Sequence, residues 1–250
     1  MMFWKKKEPT IKFLSIHGNF AIGTPVVPAF KFKTKWLKEQ NPAKSVRLCP
    51  GISDYYKTGY IVTAHCDIHI KANKAGVVAS LAPRGGPNDM VSIRDFELKP
   101  FDPVIVKGIA EPDDTVKYFA GKIPLPWSVV TKKGYSCYFL PALLHNNLSD
   151  LMYVYPGVVD TDRFHVINFV FTPLKEFEIT ITAGEPLMQI IPFKREDYTA
   201  VCDKADEKAR DGYFFNIPSQ IKQYYRKYLH TNKKFTMECP YQHRVGNDEE

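Results

Sequence analysis

A mainly β fold is expected, for three reasons. Apolar and polar residues alternate with period two in several short runs, β-branched and aromatic residues recur along the chain, and Pro and Gly punctuate the runs. Aromatic residues make up 14% of the sequence and prolines number 19, against few stretches of helical periodicity. The aromatic bias favours strands, and the prolines, with few helical stretches, disfavour long helices. With 250 residues, 44% of them hydrophobic, the chain is long enough for one well-buried domain with extensions. The expected organisation is an extended N-terminal segment (1–50) packed on a β core (51–196), with a short helical C-terminal extension (197–250).

In order, Ile11–Ile16 is a short β-like run, and Ala21–Lys31, with Pro25 and Pro28, is extended. Lys31–Lys38 alternates Lys with Phe or Trp. That pattern fits a basic, aromatic strip for nucleic acid. The preferred reading is a strand or short helix with solvated lysines and Trp36 in the core. Asn41–Gly51 reads as a loop and Tyr55–Ile70 as the strongest strand of the first half. On a strand, His65, Asp67 and His69 share one face. His and carboxylate side chains at that spacing are able to ligate a metal. A plain polar face opposite Cys66, Ile68 and Ile70 is preferred, and no metal site is assigned.

Val77–Leu81 and Met90–Phe96 are strand candidates around Pro83–Pro87. Arg84 and two glycines there offer a phosphate cradle or, more simply, a hairpin loop. Val104–Gly108 is a further strand, Glu111–Thr115 an acidic turn, and Lys122–Trp127 an extended lead-in with Trp127 in the core.

Pro156–Arg195 is the stretch that organises the rest. A Gly-Val-Val-Asp turn (Gly157–Asp160) is followed by β-rich runs His165–Thr172 and Phe177–Thr182, then the last apolar strand, Leu187–Phe193. Phe177, Ile179 and Ile181 form one face and Glu178, Thr180 and Thr182 the other. Gly184-Glu185-Pro186 forms the corner, since Gly tolerates positive φ and Pro lacks an N–H. Beyond it, Cys202–Asp211 is polar with helix formers, and Gly212 suits the end of a helix. Gln220–His230 is a second helix whose Ile221, Tyr224, Tyr225 and Tyr228 lie on one face.

The run GVVDTD, the Phe-Glu-Ile strand and Ala-Gly-Glu-Pro-Leu-Met-Gln-Ile-Ile-Pro together resemble the third motif and closing strand of the trimeric dUTP pyrophosphatase and dCTP deaminase superfamily. Pro126–Pro141 resembles the segment leading into that family's second motif. The likeness spans Pro126–Arg195, about 70 residues of the 250. It implies a dUTPase-like β-clip, a distorted β-barrel that commonly assembles as a trimer. The pattern also resembles uncharacterised proteins of tailed-phage genomes, especially those of marine myoviruses.

The resemblance carries catalytic roles over unevenly. The water-activating Asp falls on Asp160, and the second Asp of the motif on Asp162. The base-stacking Tyr falls on Arg163 and a ligand-approaching Gly on His165, both departures. The phosphate-holding Arg-Ser-Gly falls on Ala142-Leu143-Leu144-His145, which lacks Arg and Ser, and the Gly-rich C-terminal arm is absent. A carboxylate in a Gly-x-x-Asp turn also has a structural use, accepting backbone N–H groups to fix the bend. In the deaminase branch the acting Glu has no clear counterpart, because Glu178 lies on the polar face. Asp160 is the catalytic candidate, and Arg84, Arg163 and His165 are the candidate ligand contacts.

The net charge of +7 is compatible with nucleic acid, an anionic ligand or an acidic partner. Five scattered cysteines without a C-x-x-C spacing, and lysines near the start with no apolar segment behind them, point to reduced thiols and no signal peptide. No run reaches the roughly 18 apolar residues of a membrane span. The expected location is the host cytoplasm or the virion.

The leading expectation is therefore a non-enzymatic phage β-clip protein, a homo-trimeric virion or capsid-decorating component without a cofactor. Tyr224, Tyr225, Arg226 and Tyr228 would be its partner contacts. The alternatives are a nucleotide-binding or hydrolysing protein, requiring Mg²⁺ for hydrolysis, and a nucleic-acid-binding protein using Lys31–Lys38 and Lys222–Lys234.

Overall fold

Strands dominate the computed structural model, which describes residues 10–15, 26–32, 48–73, 76–82, 121–143, 148–204, 206–207 and 225–231. In chain order the first are β1 (Ile11–Ser15), β2 (Val27–Pro28), helix α1 (Pro50–Lys57), β3 (Tyr60–Thr63), β4 (Asp67–Asn73) and β5 (Gly76–Ala82). They are followed by β6 (Gly121–Thr131), β7 (Tyr135–Pro141), β8 (Met152–Val154) and β9 (Gly157–Val159). Last come β10 (Val166–Pro173), β11 (Phe177–Ile181) and β12 (Pro186–Lys194). The strands pair antiparallel in three sheets, ordered β1-β6-β10-β8, β11-β4-β5 and β2-β3-β12-β7-β9.

All three sheets turn apolar residues into one core. Trp127, Phe169 and Phe171 are among its largest fully buried side chains, with the two Phe rings 5.3 Å apart. Ile68, Ile70 and Ile181 join them from the β11-β4-β5 sheet. The expected alternation of β11 is present: Glu178 and Thr180 are exposed, while Phe177 and Ile179 pack against the core. The corner is also as expected, with Gly184 at φ +91° and Pro186 opening β12. Pro124 and Pro126 lie in β6 ahead of the Trp127–Thr131 stretch that β1 pairs with. Among the described residues β10 is therefore the strand bonded to them, and the β6–β10 register shifts between the Val166–Ser128 and Asn168–Pro124 pairs. An open edge and an irregular register are where a strand tolerates a missing N–H.

Two expectations need correction. Tyr55–Ile70 is not one strand, and the preceding loop ends before Gly51, because Pro50–Lys57 is helical. Pro50 sits at the start of the helix, where its fixed φ suits a first turn. Burial of Asp54 and Tyr56 outweighs the β preference of the Tyr pair. The chain also breaks at Ala64–Cys66, where Ala64 N–H donates to Glu185 O (2.8 Å) and Gly184 N–H to Ala64 O (2.8 Å). Consequently His65 is buried in a bend outside β4, while Asp67 and His69 lie on the strand's outer face. In the tail, Val201–Lys204 has no regular structure. Met90–Phe96, Val104–Gly108, Trp36, Gln220–Tyr224 and the rest of Cys202–Asp211 beyond 207 lie outside the described residues, as does most of Lys31–Lys38. No helix among the described residues is long and apolar enough to cross a membrane.

Gly59 fixes the entry to β3. Its φ is +77°, and an added Cβ would lie 2.2 Å from Ile190 O. Left-handed strain and the clash act together at this position. Gly59→Ala is expected to destabilise the fold by about 3 kcal/mol or more, read from urea unfolding; a loss under about 1 kcal/mol would show that β3 and β12 separate easily.

Candidate functional site

The Gly-Val-Val-Asp turn reaches its place through strand pairing. β9 pairs with β7, Val159 opposite Cys137 and Gly157 opposite Phe139. The chain then turns through Asp160–His165, where Arg163 N–H and Phe164 N–H both donate to Asp160 O at 2.9 Å. β12 runs along the other edge of β7 and ends with Lys194 opposite Tyr135. Arg195 is thereby delivered to the turn, and its N–H donates to Gly134 O at 2.8 Å.

Arg195 closes a charged clasp. Its guanidinium binds both carboxylate oxygens of Asp162, with Nη1 3.0 Å from Oδ1 and Nη2 on Oδ2. Nη1 also lies 3.0 Å from Asp160 Oδ1 and donates to Ser136 Oγ (2.9 Å) and Tyr135 O (3.2 Å). Gly134 N–H donates to Asp162 Oδ2 at 2.9 Å, and the Ser136 hydroxyl to Asp160 Oδ1 at 2.7 Å. The planar fork of Arg suits this two-oxygen grip, which Lys does not reproduce. Asp162 is 5% exposed at its side chain and Asp160 55%.

These contacts set the acid–base character of the turn. The Arg195 hydrogen bonds, then the Gly134 N–H, hold Asp162 down to about 2. The Ser136 hydroxyl, then the Arg195 charge, hold Asp160 below the ordinary carboxylate range. Lowering its proton affinity weakens Asp160 as a base. Beneath the clasp, Thr131, Thr161 and Cys137 are buried, and the Thr161 hydroxyl donates to Cys137 Sγ at 3.3 Å. Burial pushes that thiol up to about 11, so it is neutral, and weakly nucleophilic, near pH 7.

Two recesses flank the β7–β9 pair. On the outer side, an open depression of about 540 Å³ is lined by the stacked rings of Tyr138 and Phe193, by Lys194 and Arg195, and by Glu196 and Tyr198. Its cations are both engaged: Lys194 Nζ lies 2.7 Å from Glu196 Oε1, and Arg195 is in the clasp. On the other side, a slot of about 300 Å³ opens between β9 and β10, lined by Phe139, Tyr155, Val159, Phe164, Asn168 and Met188 among others. Its surface is almost wholly apolar; the Asn168 side-chain amide lines it and, among the described residues, makes one long hydrogen bond, 3.5 Å to Val166 O. Asp160 lines neither recess.

The other expected site residues are dispersed. Arg163 is exposed on the turn, and His165 Nδ1 lies 3.1 Å from Thr161 O. Arg84, Tyr224, Leu144 and His145 lie outside the described residues. Tyr225, Arg226 and Tyr228 are exposed on one π-helical turn, Tyr225–Leu229. His230 seats that turn on α1, its Nε2 3.0 Å from Asp54 Oδ2. His65, Asp67 and His69 do not converge. Asp67 accepts from Ala183 N–H (2.8 Å), and His69 contacts Thr180 and Glu178. Lys71, then His69, hold Glu178 below its ordinary range. Among the described residues no group of three or more His, Cys, Asp or Glu is placed to hold a metal.

Sequence reasoning missed Arg195, Ser136 and Asn168. The one available signal was Arg195 itself, an Arg directly after the closing strand of a motif with two Asp. No family model matches the chain, and no curated protein is significantly similar to it.

The clasp has a pH signature. The folded-state value of Asp162 is depressed, so its contribution is complete above about pH 4 and is lost as pH falls toward 2. Asp162→Asn is expected to lower Tm at neutral pH and to flatten the fall of Tm between about pH 4 and 2; unchanged acid dependence in a calorimetric scan would show that the clasp does not stabilise the fold.

Proposed function

We propose that the chain is a non-enzymatic assembly protein built on a β-clip, a virion-associated or capsid-decorating component of a tailed phage that acts as a homo-trimer. The observation that carries this reading is the clasp. Asp160, where the resembled family places its water-activating carboxylate, is gripped by Ser136 and Arg195 of its own chain and weakened as a base. Lys194 and Arg195, the two cations of the adjoining depression, are engaged by carboxylates rather than free for phosphate. Nucleotide hydrolysis needs a competent base and free positive charge where phosphate sits. Ala142 and Leu143, where the resembled family places phosphate ligands, carry no hydrogen-bonding side chain.

Exposed Tyr225, Arg226 and Tyr228 supply contact side chains of the types that dominate interfaces. The chain is expected to appear by mass spectrometry in purified virions, and to release neither pyrophosphate nor ammonia from dUTP or dCTP with Mg²⁺. Turnover that Asp160→Asn abolishes would reverse the assignment.

The apolar slot favours a second reading, nucleotide binding without turnover. Phe139, Tyr155 and Phe164 offer ring faces, and the Asn168 amide offers a donor and an acceptor to a base edge. On this reading dUTP or dCTP at about 100-fold excess over Kd raises Tm by about 5–10 °C, and Asn168→Ala removes most of the rise. A Tm unmoved by either nucleotide removes the reading.

A further inference from the structure

We propose that the end of the molecule formed by the β6–β7 hairpin and the Asp160–His165 turn binds single-stranded nucleic acid. Several contacts hold these elements together, among them Thr131 N–H donating to Thr161 O (3.2 Å) and Gly134 N–H to Asp162 Oδ2 (2.9 Å). They bring Lys132 and Lys133, at the hairpin tip, next to Arg163 on the turn. All three are exposed. The carboxylates that would otherwise neutralise them, Asp160 and Asp162, are held by Arg195. Among the described residues Lys132, Lys133 and Arg163 have no ion-pair partner. With Arg195 they set four cations against the two carboxylates, a net positive charge on two adjoining turns and a local site for a polyanion.

The neighbouring ring decides which polyanion. Phe164 follows Arg163 in the chain, is 50% exposed and forms part of the rim of the apolar slot. A single strand presents phosphates to the cations and an unstacked base face to the ring. A duplex keeps its base faces covered. An acidic peptide or an anionic bilayer matches the charge but offers the ring no base to stack on. This surface differs from the two lysine-rich segments that the sequence suggests, and the proposal holds whether or not the slot accepts a free nucleotide.

The test is fluorescence anisotropy of the full chain with a labelled thymidine oligonucleotide of about 16 nucleotides, at about 50 mM salt. Binding is expected. The triple variant K132A/K133A/R163A weakens it by at least about tenfold and lowers the slope of log K against log salt by about 2, near 0.7 for each lost phosphate contact. Phe164→Ala weakens it by about tenfold with the slope unchanged. Arg163→Ala alone, which leaves the clasp intact, moves affinity in the same direction by less. Absence of binding at that salt overturns the proposal, as does a triple variant that binds like the wild type. Tighter binding to duplex, to a poly-glutamate peptide or to phosphatidylserine vesicles than to the oligonucleotide assigns the surface to another partner and also overturns it.

Discussion

Strand β12 imposes the constraint on which the rest depends. It is hydrogen-bonded on both edges, to β3 and β7, and its first five residues are buried. Such a strand has no water to satisfy a stray polar group. Its buried polar residue, Gln189, is satisfied on one side: its Nε2 donates to Tyr55 O (2.8 Å) and Thr58 O (2.7 Å), while its Oε1 is buried with no partner among the described residues. These carbonyls lie at the C-terminal end of α1 and on the residue that caps it, where a helix has few partners of its own; Tyr55 O also accepts from Thr58 N–H at 3.1 Å. One side chain thus serves strand and helix together, and draws α1 onto the sheet. Gly59 lets the chain between them pass close to Ile190.

Where its burial ends, the same strand sets up the charged clasp. Arg195 follows directly, and its fixed position brings the guanidinium under the Asp160–Asp162 turn. In the clasp a cation of the same chain occupies the acidic turn from within. This has two consequences on opposite sides of one turn. The carboxylates lose basicity, which moves the turn away from proton-transfer chemistry. The outward cations, Lys132, Lys133 and Arg163, have no ion-pair partner among the described residues.

Period-two geometry separates the two recesses. Gly157 and Val159 face the slot, while Val158 is 60% exposed and its cross-strand partner Tyr138 stacks on Phe193 at the outer depression. One short edge pairing, β7 with β9, thus divides an apolar slot from a charge-balanced surface. A one-residue slip in that register would exchange the two faces.

Much of the β architecture was legible in the sequence. Alternation over Phe177–Thr182 marked the faces of β11, and Gly184-Glu185-Pro186 marked the corner, because strand periodicity and turn chemistry are local properties of the chain. The helix Pro50–Lys57 was not legible. Its Tyr pair favours a strand, and the reason it is helical lies in burial and in Gln189, 134 residues from Tyr55. The Asp160 turn was visible as a motif, but its chemical state was not. Arg195 is 33 residues from Asp162, and charge compensation depends on distance in space rather than on order in the chain. Sequence by itself determined which residues alternate and where the chain bends; only the tertiary structure decided which charges are neutralised, since that follows from which strand ends meet.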